Sequence, residues 1–276
     1  MHRVNANGAR IPAIGLGTWT LRGTACARMV ETALDVGYRH VDTAIMYENE
    51  AAVGEGLRAS HVAREDIFLT SKVWYTDIAE GKLQRAAEAS VKRLGVDYLD
   101  LLLIHWPNPR IPLAESIGAL NAVRRSGLAR NIGVSNFTLP LLAEAITLSE
   151  VPPACNQVEY HPYLDQSKLL AACRAAGMAM VSYCPLYRGG PLFLEPAVAA
   201  AAQAHGRTPA QIVLRWHIQQ EGVAAIPRTT RPERLAENLA VLDFALSDAE
   251  MAAISRLRAA NERICDFDFA PKWDAA

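Results

Sequence analysis

The stretch AIGLGTW, residues 13–19, decides between the two folds that this chain could adopt. An open sheet that binds dinucleotides begins with a strand, the pattern G-x-G-x-x-G and a helix. Here two glycines follow an apolar run, but the third glycine is absent and the bulky Trp19 stands inside the pattern. We therefore interpret residues 13–17 as an ordinary first strand, and the open dinucleotide-binding sheet is disfavoured.

Seven further apolar runs follow, and amphipathic, alanine-rich stretches of helical length separate them. The predicted strands are residues 13–17, 38–42, 67–73, 99–106, 130–135, 154–160, 178–184 and 222–227. The predicted helices include residues 27–37, 50–60, 81–95, 115–127, 139–149, 168–177 and 209–220. Eight buried strands that alternate with helices indicate a parallel sheet, and we predict an α/β fold, a (β/α)8 TIM barrel.

Both ends of the chain add to this barrel. Residues 3–15 predict a short N-terminal β-hairpin, because the turn pair Asn7-Gly8 lies between two strand-like runs. We expect one extra helix near the C-terminus. Neither a linker nor a low-complexity tract divides the chain, and one barrel typically needs roughly 250 residues. We therefore predict a single domain over residues 1–276.

Composition limits the class of protein. The formal net charge of −1 gives no electrostatic reason to expect nucleic acid or an anionic membrane as a partner. No apolar run approaches the ~20 residues of a membrane helix, and the N-terminus lacks the apolar stretch of a secretory signal. The five cysteines are scattered and show no CxxC spacing, which argues against a disulfide framework or a metal site. We expect a cytoplasmic protein without a metal, and nothing requires more than a monomer.

Four polar residues lie at the predicted carboxyl ends of three consecutive strands. Asp42 and Lys72 end strands two and three, His105 ends strand four, and Tyr47 lies in the loop after Asp42. Each has an ordinary explanation when taken alone: a helix cap, a rim charge, a core histidine and a half-buried aromatic residue. Active sites of β/α barrels form at this end, and burying Asp42 and Lys72 there is costly unless they pair.

Together these residue types suit the reduction of a carbonyl group. A tyrosine has a pKa near 10, and a neighbouring cation such as Lys72, oriented by Asp42, should lower it. Tyr47 could then protonate a carbonyl oxygen that His105 orients and polarises by a hydrogen bond. Hydride addition at the carbon requires a cofactor.

Long stretches of the chain resemble the aldo-keto reductases. They are GLGTW (15–19), GYRHVDTAIMYENEAAVGEGL (37–57), LTSKVW (69–74), DYLDLLLIHWP (97–107), IGVSNF (132–137), NQVEYHPY (156–163), IPRTTRPERLAENL (226–239) and APKWD (270–274). The short loop after His105 and the final APKWD are most similar to the bacterial 2,5-diketo-D-gluconate reductases of the B type, which resemble methylglyoxal reductases. The resemblance implies a reductase in which Tyr47 is the general acid and Asp42, Lys72 and His105 assist it.

The resemblance also implies a nicotinamide cofactor. The implied cofactor-binding residues are Thr18, Trp19, Asp42, Ser135, Asn136, Gln157, Tyr183, Pro185, Leu186, Ile226, Arg228, Thr229, Thr230, Arg234, Glu237 and Asn238. Ser135, Asn136 and Gln157 would bind the carboxamide, and Tyr183 would stack on the nicotinamide ring. Without the resemblance, Asn136 would be interpreted as a helix cap and Tyr183 as a core aromatic residue.

The segment after the eighth strand indicates which nicotinamide cofactor is used. Barrels often bind phosphate there, and guanidinium groups bind phosphate bidentately. The resemblance implies that Arg228, Thr229 and Arg234 hold the adenosine 2′-phosphate and that Glu237 and Asn238 face the adenine. The alternative is an ordinary basic helix cap. Arginine stands at 228 where many relatives have lysine, which keeps the charge, so NADPH is expected and NADH would be a weaker cofactor.

Two departures from the family lie at the end of the seventh predicted strand and in the loop that follows it. The loop Arg188-Gly189-Gly190 either lets the backbone approach the pyrophosphate or forms a mobile turn. Cys184, next to Tyr183, is interpreted either as a thiol sensitive to reagents or as a small buried hydrophobic residue.

The predicted substrate pocket is aromatic. Its residues are Trp19, Tyr47, Trp74, His105 and Trp106, with Phe267, Phe269 and Trp273 from the C-terminal stretch. A short loop after His105 predicts an open pocket with broad selectivity toward small carbonyl compounds. We expect aldehydes and ketones as substrates, in particular small dicarbonyls or sugar-derived ketones. Two other functions stay open: a nicotinamide-binding redox-sensing regulatory subunit with little turnover, and a hydrolase or lyase in which Lys72 is a Schiff-base or general-base lysine.

Overall fold

The computed structural model describes residues 2–275, which form a small hairpin and an eight-stranded parallel sheet surrounded by helices. The strands are β1 Arg3–Ala6, β2 Ala9–Pro12, β3 Leu16–Gly17, β4 His40–Asp42, β5 Phe68–Val73, β6 Leu99–Ile104, β7 Ala129–Ser135, β8 Cys155–Glu159, β9 Ala179–Tyr183 and β10 Val223–Ala225. The α-helices are α1 Gly23–Asp35, α2 Glu50–Ala59, α3 Lys82–Leu94, α4 Leu113–Arg125, α5 Leu139–Leu148, α6 Ser167–Ala175, α7 Pro196–His205, α8 Pro209–Gln219, α9 Glu233–Leu239 and α10 Asp248–Ser255. All eight predicted strands and the hairpin are confirmed.

The parallel sheet closes on itself. Its strands follow chain order from β3 to β10, and Ile14, just before β3, bridges Ala225 of β10. The Gly15 N–H donates to the Ala225 carbonyl at 2.9 Å, and the Ala225 N–H donates to the Ala13 carbonyl at 2.8 Å. These bonds join the first strand to the last, so the predicted (β/α)8 barrel is confirmed.

The two glycines of the opening stretch are required for this closure. A Cβ atom on Gly17 would lie 2.7 Å from the Ile226 carbonyl oxygen, and one on Gly15 would lie 2.6 Å from Nδ1 of His40. Both distances are far below normal contact. Glycine at position 17 therefore lets the end of β10 approach β3, and glycine at position 15 leaves room for the His40 ring of β4. In this chain the G-x-G pattern therefore belongs to barrel packing.

The helices differ from the prediction mainly at their ends. Helix α1 begins at Gly23, four residues before the predicted start. The extra C-terminal helix is α10, which begins with a capping box between Ser247 and Glu250. Helices α7 and α9 were not singled out in the sequence. Within residues 2–275, no helix is long and apolar enough to cross a membrane.

The central strands carry the functional side chains to one end of the barrel. Strands β5 and β6 are buried along their whole length, as expected for strands with neighbours on both faces. Asp42 ends β4, Lys72 is the penultimate residue of β5, and His105 follows β6. Ser135 and Tyr183 end β7 and β9 at the same end, which we call the mouth of the barrel.

Candidate active site

A buried ion pair lies at the centre of the mouth. Nζ of Lys72 lies 2.5 Å from Oδ1 of Asp42, and the two side chains are 0% and 1% exposed. The same ammonium group donates to the Thr43 carbonyl at 2.8 Å and to the Tyr47 hydroxyl at 3.3 Å. The structure thus brings together three of the four predicted catalytic residues around one charge.

The pKa of Tyr47 departs from the sequence-based expectation. Burial raises this pKa above its usual value of about 10, and Lys72 opposes the rise by its charge and its hydrogen bond. The expected net lowering is wrong because desolvation of the phenolate outweighs the cation. Burial alone would lower the pKa of Lys72, but Asp42 and Tyr47 raise it above its usual value. Tyr47 therefore keeps its proton at neutral pH beside a charged lysine.

His105 completes the group as a neutral imidazole. Burial, and then the charge of Lys72, lower its pKa well below the usual value. Its ring centroid lies 5.6 Å from that of Tyr47 and 5.2 Å from that of Trp74. The Asn136 amide donates to its carbonyl oxygen at 3.0 Å. A neutral imidazole beside a protonated phenol can hydrogen-bond the oxygen that the phenol protonates.

The ends of strands β7 and β9 are joined by a chain of hydrogen bonds. The Tyr183 hydroxyl donates to Oδ1 of Asn136 at 2.7 Å, and Nδ2 of Asn136 donates to Oγ of Ser135 at 3.1 Å. Asn136 has a left-handed backbone with φ of 63°. Its interpretation as a helix cap is wrong, because the residue at the N-cap of α5 is Thr138.

Gln157 links this cluster to the ion pair. Its Nε2 donates to Oδ2 of Asp42 at 2.7 Å, and its main-chain oxygen accepts from Oγ of Ser135 at 2.8 Å. The Gln157 side chain is 2% exposed. Its amide group can hydrogen-bond a carboxamide, so the residues present suit a nicotinamide.

The arginine-rich segment after β10 presents free positive charge. Arg228 and Arg234 are exposed, and neither forms an ion pair with another of the residues that the structure describes. Arg231 differs, because its Nε lies 2.6 Å from the Glu233 carboxylate. Thr229 is buried, and its hydroxyl accepts from the Arg231 N–H at 3.0 Å. The segment therefore offers two unpaired guanidinium groups to an anion.

The other residues of the implied cofactor site differ in exposure. Those that are buried are Thr18, Ile226 and Asn238, and those that are exposed are Trp19, Thr230 and Glu237. Asn238 contacts the Tyr38 hydroxyl. Glu237 is thus more accessible to an adenine than Asn238 is.

The loop after β9 is tightly turned. The Pro185 carbonyl lies 3.0 Å from Nε2 of His217, and the Leu186 carbonyl accepts from the Gly189 N–H at 2.7 Å. Arg188 and Gly189 have positive φ angles of 58° and 84°. Both interpretations of this loop, close phosphate approach and a turn, stay predictions.

Aromatic rings line the mouth beside Tyr47 and His105. The Trp19 ring lies 4.9 Å from that of Tyr47, and Trp74 lies on the other side, against His105. The C-terminal tail extends this wall, because the Phe269 ring lies 5.4 Å from both Trp74 and Trp106. Phe267 and Trp273 also pack on Trp106. The predicted pocket residues thus form one apolar wall.

Glu159 holds the tail in place and was missed in the sequence. It is fully buried, and its carboxylate accepts the N–H groups of Ile264 at 2.6 Å and Cys265 at 2.7 Å. His161 lies 2.8 Å from the same carboxylate. These donors lower the pKa of Glu159 although burial opposes them. The sequence feature that could have identified Glu159 is a charged residue at the end of a strand that is predicted to be buried.

Asn49 was also missed, and it joins three loops at the mouth. It is 2% exposed, and its Oδ1 accepts from the Thr43 hydroxyl at 2.7 Å. Its Nδ2 donates to the carbonyl oxygens of Thr18 at 2.8 Å and Leu21 at 3.1 Å. Thr43 in turn accepts from Lys72, so Asn49 positions the ion pair and the segment that carries Tyr47.

Replacing Asn49 by alanine is expected to lower the free energy of unfolding by about 1–3 kcal/mol, because buried partners lose their hydrogen bonds. We also expect kcat to fall, since Thr43 loses its alignment. Urea unfolding followed by tryptophan fluorescence measures the stability. The exposed Asn5 provides the control: N5A should change stability by less than about 0.5 kcal/mol. Equal stability of the two variants would contradict the role given to Asn49.

The mouth therefore has the composition of a carbonyl-reducing oxidoreductase. It combines a protonated phenol, a charged lysine and a neutral imidazole with an amide site and unpaired arginines. Residues 2–275 contain no group of three or more His, Cys, Asp or Glu side chains arranged to hold a metal ion.

Comparison with known proteins agrees with this class. The family model of the aldo/keto reductase family matches residues 13–259. Morphine 6-dehydrogenase of Pseudomonas putida is 42% identical over 91% of this chain and 89% of its own. Methylglyoxal reductase DkgB of Salmonella typhi is 40% identical over 96% of this chain and 99% of its own. The chain belongs to the aldo/keto reductase family, an oxidoreductase family that uses nicotinamide cofactors and acts on carbonyl compounds.

Solved structures give the same result. A protein provisionally named 2,5-diketo-D-gluconic acid reductase B superposes with a TM-score of 0.96 and 45% identity, over 100% of this chain and 98% of that one. The Bombyx mori aldo-keto reductase in complex with NADP superposes with a TM-score of 0.89 and 34% identity, over 96% of this chain and 94% of that one. The resemblance stated from the sequence motifs is confirmed.

Proposed function

We propose that this chain is an NADPH-dependent reductase of small dicarbonyls and sugar-derived ketones, and that it works as a single-domain cytoplasmic monomer. The observation that carries the proposal is the buried Asp42–Lys72 pair, with the Tyr47 hydroxyl 3.3 Å from the ammonium group. Five free cysteines support a reducing compartment.

Each residue of the group has a distinct task. Tyr47 donates its proton to the carbonyl oxygen, and the charge of Lys72 stabilises the phenolate that is left. Asp42 keeps Lys72 charged and in place, and His105 orients the oxygen by a hydrogen bond. When bound, NADPH would supply the hydride to the carbonyl carbon.

The amide cluster would fix the nicotinamide. Ser135, Asn136 and Gln157 would hydrogen-bond its carboxamide, and Tyr183, whose hydroxyl is held by Asn136, would stack on the ring. Because Gln157 also donates to Asp42, a hydrogen bond joins the carboxamide site to the ion pair. This connection supports placing the hydride donor beside Tyr47.

The charged state of Lys72 argues against the lyase and hydrolase alternative. A Schiff-base or general-base lysine must lose its proton, which requires a lowered pKa. Asp42 and Tyr47 raise the pKa of Lys72 instead. A protonated Lys72 can stabilise a phenolate, but it has no free electron pair for nucleophilic attack.

Removing Arg228 is expected to raise the KM for NADPH by about 10- to 100-fold, because a charge-assisted bond to the 2′-phosphate is lost. The KM for NADH should not change, since NADH lacks that phosphate. Steady-state kinetics of R228A with both cofactors measures this difference. R231A is the matched control, because Arg231 is paired with Glu233. If R228A raised the KM for NADPH and the KM for NADH equally, the proposed binding of the 2′-phosphate by Arg228 would be wrong.

The kcat/KM of carbonyl reduction is expected to be independent of pH between about pH 7 and pH 10. Tyr47 must be protonated to act as an acid, and its raised pKa keeps the proton until the pH exceeds about 10. His105, with a pKa well below its usual value, stays neutral throughout this range. The pH profile of kcat/KM tests this. A loss of activity centred near pH 7 would point to another proton donor.

The substrate class is tested by following NADPH and NADH oxidation with methylglyoxal, 2,5-diketo-D-gluconate, aromatic aldehydes and keto esters. The aromatic wall and the names of two similar proteins, a methylglyoxal reductase and a diketogluconate reductase, support turnover of the small dicarbonyls with NADPH. Tight NADPH binding without turnover of any carbonyl would refute the enzyme and favour a redox-sensing regulatory subunit.

A further inference from the structure

Two cysteine thiols lie close together at the mouth, outside the residues assigned to the reaction. Cys184 directly follows β9, and Cys265 lies in the C-terminal tail; the two thiols are near enough for each to shift the pKa of the other. Both are half-buried, so a small reagent can reach them. The other three cysteines, Cys26, Cys155 and Cys173, are buried.

The backbone brings the two positions together independently of the thiols. Glu159 of β8 is the register partner of Tyr183 of β9, so its carboxylate lies beside the residue that precedes Cys184. That buried carboxylate accepts the N–H groups of Ile264 and Cys265 at 2.6 and 2.7 Å. The tail is therefore fixed beside the end of β9 by two short hydrogen bonds, one of them from the backbone N–H of Cys265 itself.

The two thiols differ in acidity, as a nucleophile and its partner should. The hydrogen bond from Cys265, helped by Arg188, lowers the pKa of Cys184, although burial and Glu159 oppose this. The same hydrogen bond and burial raise the pKa of Cys265. Burial raises the pKa of Cys26 to about 11 and that of Cys173 to about 12, which leaves them unreactive.

We infer that Cys184 and Cys265 form a reversible disulfide when the protein meets a hydroperoxide. The Cys184 thiolate sulfur attacks one peroxide oxygen, the O–O bond breaks, and Cys184 becomes a sulfenic acid while hydroxide or alkoxide leaves. Sγ of Cys265 then attacks the Cys184 sulfur, the S–O bond breaks, and water leaves with the Cys265 proton. The two sulfurs lose two electrons, and the peroxide gains them.

The disulfide would act on the reaction through the tail. Cys265 is two residues from Phe267 and four from Phe269, which pack on Trp106 at the pocket. Cys184 is adjacent to Tyr183. Tying the tail to β9 restricts opening of the pocket, so turnover should fall several-fold in the oxidised protein. This consequence rests on the proposed function, whereas formation of the bond does not.

The test oxidises the reduced full-length protein with hydrogen peroxide and counts free thiols by alkylation and intact mass. The expected result is a mass lower by two hydrogens, three remaining thiols and a cross-linked peptide of Cys184 and Cys265, all reversed by dithiothreitol. C265S should instead accumulate a sulfenic acid on Cys184 that a 1,3-dicarbonyl reagent traps, and C184S should not. Both variants should keep the reduced-state turnover.

Five free thiols after treatment, or oxidation of the two cysteines without a cross-link, would overturn the inference. Turnover is measured on the same samples: dithiothreitol should restore wild-type activity, and C265S should show no dithiothreitol-dependent change of turnover. A protein without reductase activity would refute the proposed function, yet the mass and the peptide would still decide on the disulfide.

Discussion

Replacing Tyr47 by phenylalanine is expected to lower kcat for carbonyl reduction by about 10²- to 10⁴-fold, the usual contribution of a positioned general acid. In the proposed reaction the phenol is the proton source, because its hydroxyl lies 3.3 Å from Nζ of Lys72, whose charge would stabilise the phenolate that is left. Phenylalanine keeps the ring contacts with Trp19 and His105, so the pocket should keep its shape. NADPH binding, measured by fluorescence titration, should survive.

The matched control is Y75F. Tyr75 stacks on Phe269 with ring centroids 4.9 Å apart and lies at the same pocket, so losing its hydroxyl should leave kcat close to the wild-type value. Turnover that persists in Y47F would contradict the role of Tyr47 and would favour chemistry based on Lys72.

Replacing Lys72 by methionine is expected to lower the free energy of unfolding by about 3–5 kcal/mol, the largest stability effect expected in this chain. The Asp42 carboxylate is 1% exposed, and without the ammonium group it stays buried with Gln157 as its remaining side-chain donor. Urea denaturation measures the loss. Turnover should also collapse, because no cation would stabilise the phenolate of Tyr47.

Two further variants show whether this loss is due to the unpaired charge. The double variant K72M with D42N removes both charges and should recover most of the lost stability. K92M, at an exposed position of α3, should change stability by less than about 0.5 kcal/mol. A K72M protein as stable as K92M would mean that the ion pair does not contribute as described.

The features that sequence reasoning could predict are those that local patterns determine. The alternation of apolar runs and helices predicted all eight strands, and the barrel places strand ends together, so Asp42, Lys72 and His105 were found at one mouth. The absent third glycine and the bulky Trp19 favoured the barrel, and the structure shows why Gly17 is needed: the Ile226 carbonyl lies against it.

The features that could not be predicted depend on contacts between distant segments. Gln157 reaches Asp42 across 115 positions of the chain, and Glu159 binds Cys265 across 106. The direction of the Tyr47 pKa shift was wrong because it depends on how deeply the phenol is buried. The cap of α5 was misassigned to Asn136 because local sequence does not reveal that its amide is used by Tyr183 and His105.

The most direct test of the central claim is transfer of deuterium from NADPH deuterated at both C4 positions to methylglyoxal. We predict a deuterated product whose label lies on the carbinol carbon, with the hydroxyl proton derived from solvent through Tyr47. Mass spectrometry and NMR of the product locate the label. An unlabelled product, or consumption of methylglyoxal without oxidation of NADPH, would contradict hydride transfer at this site.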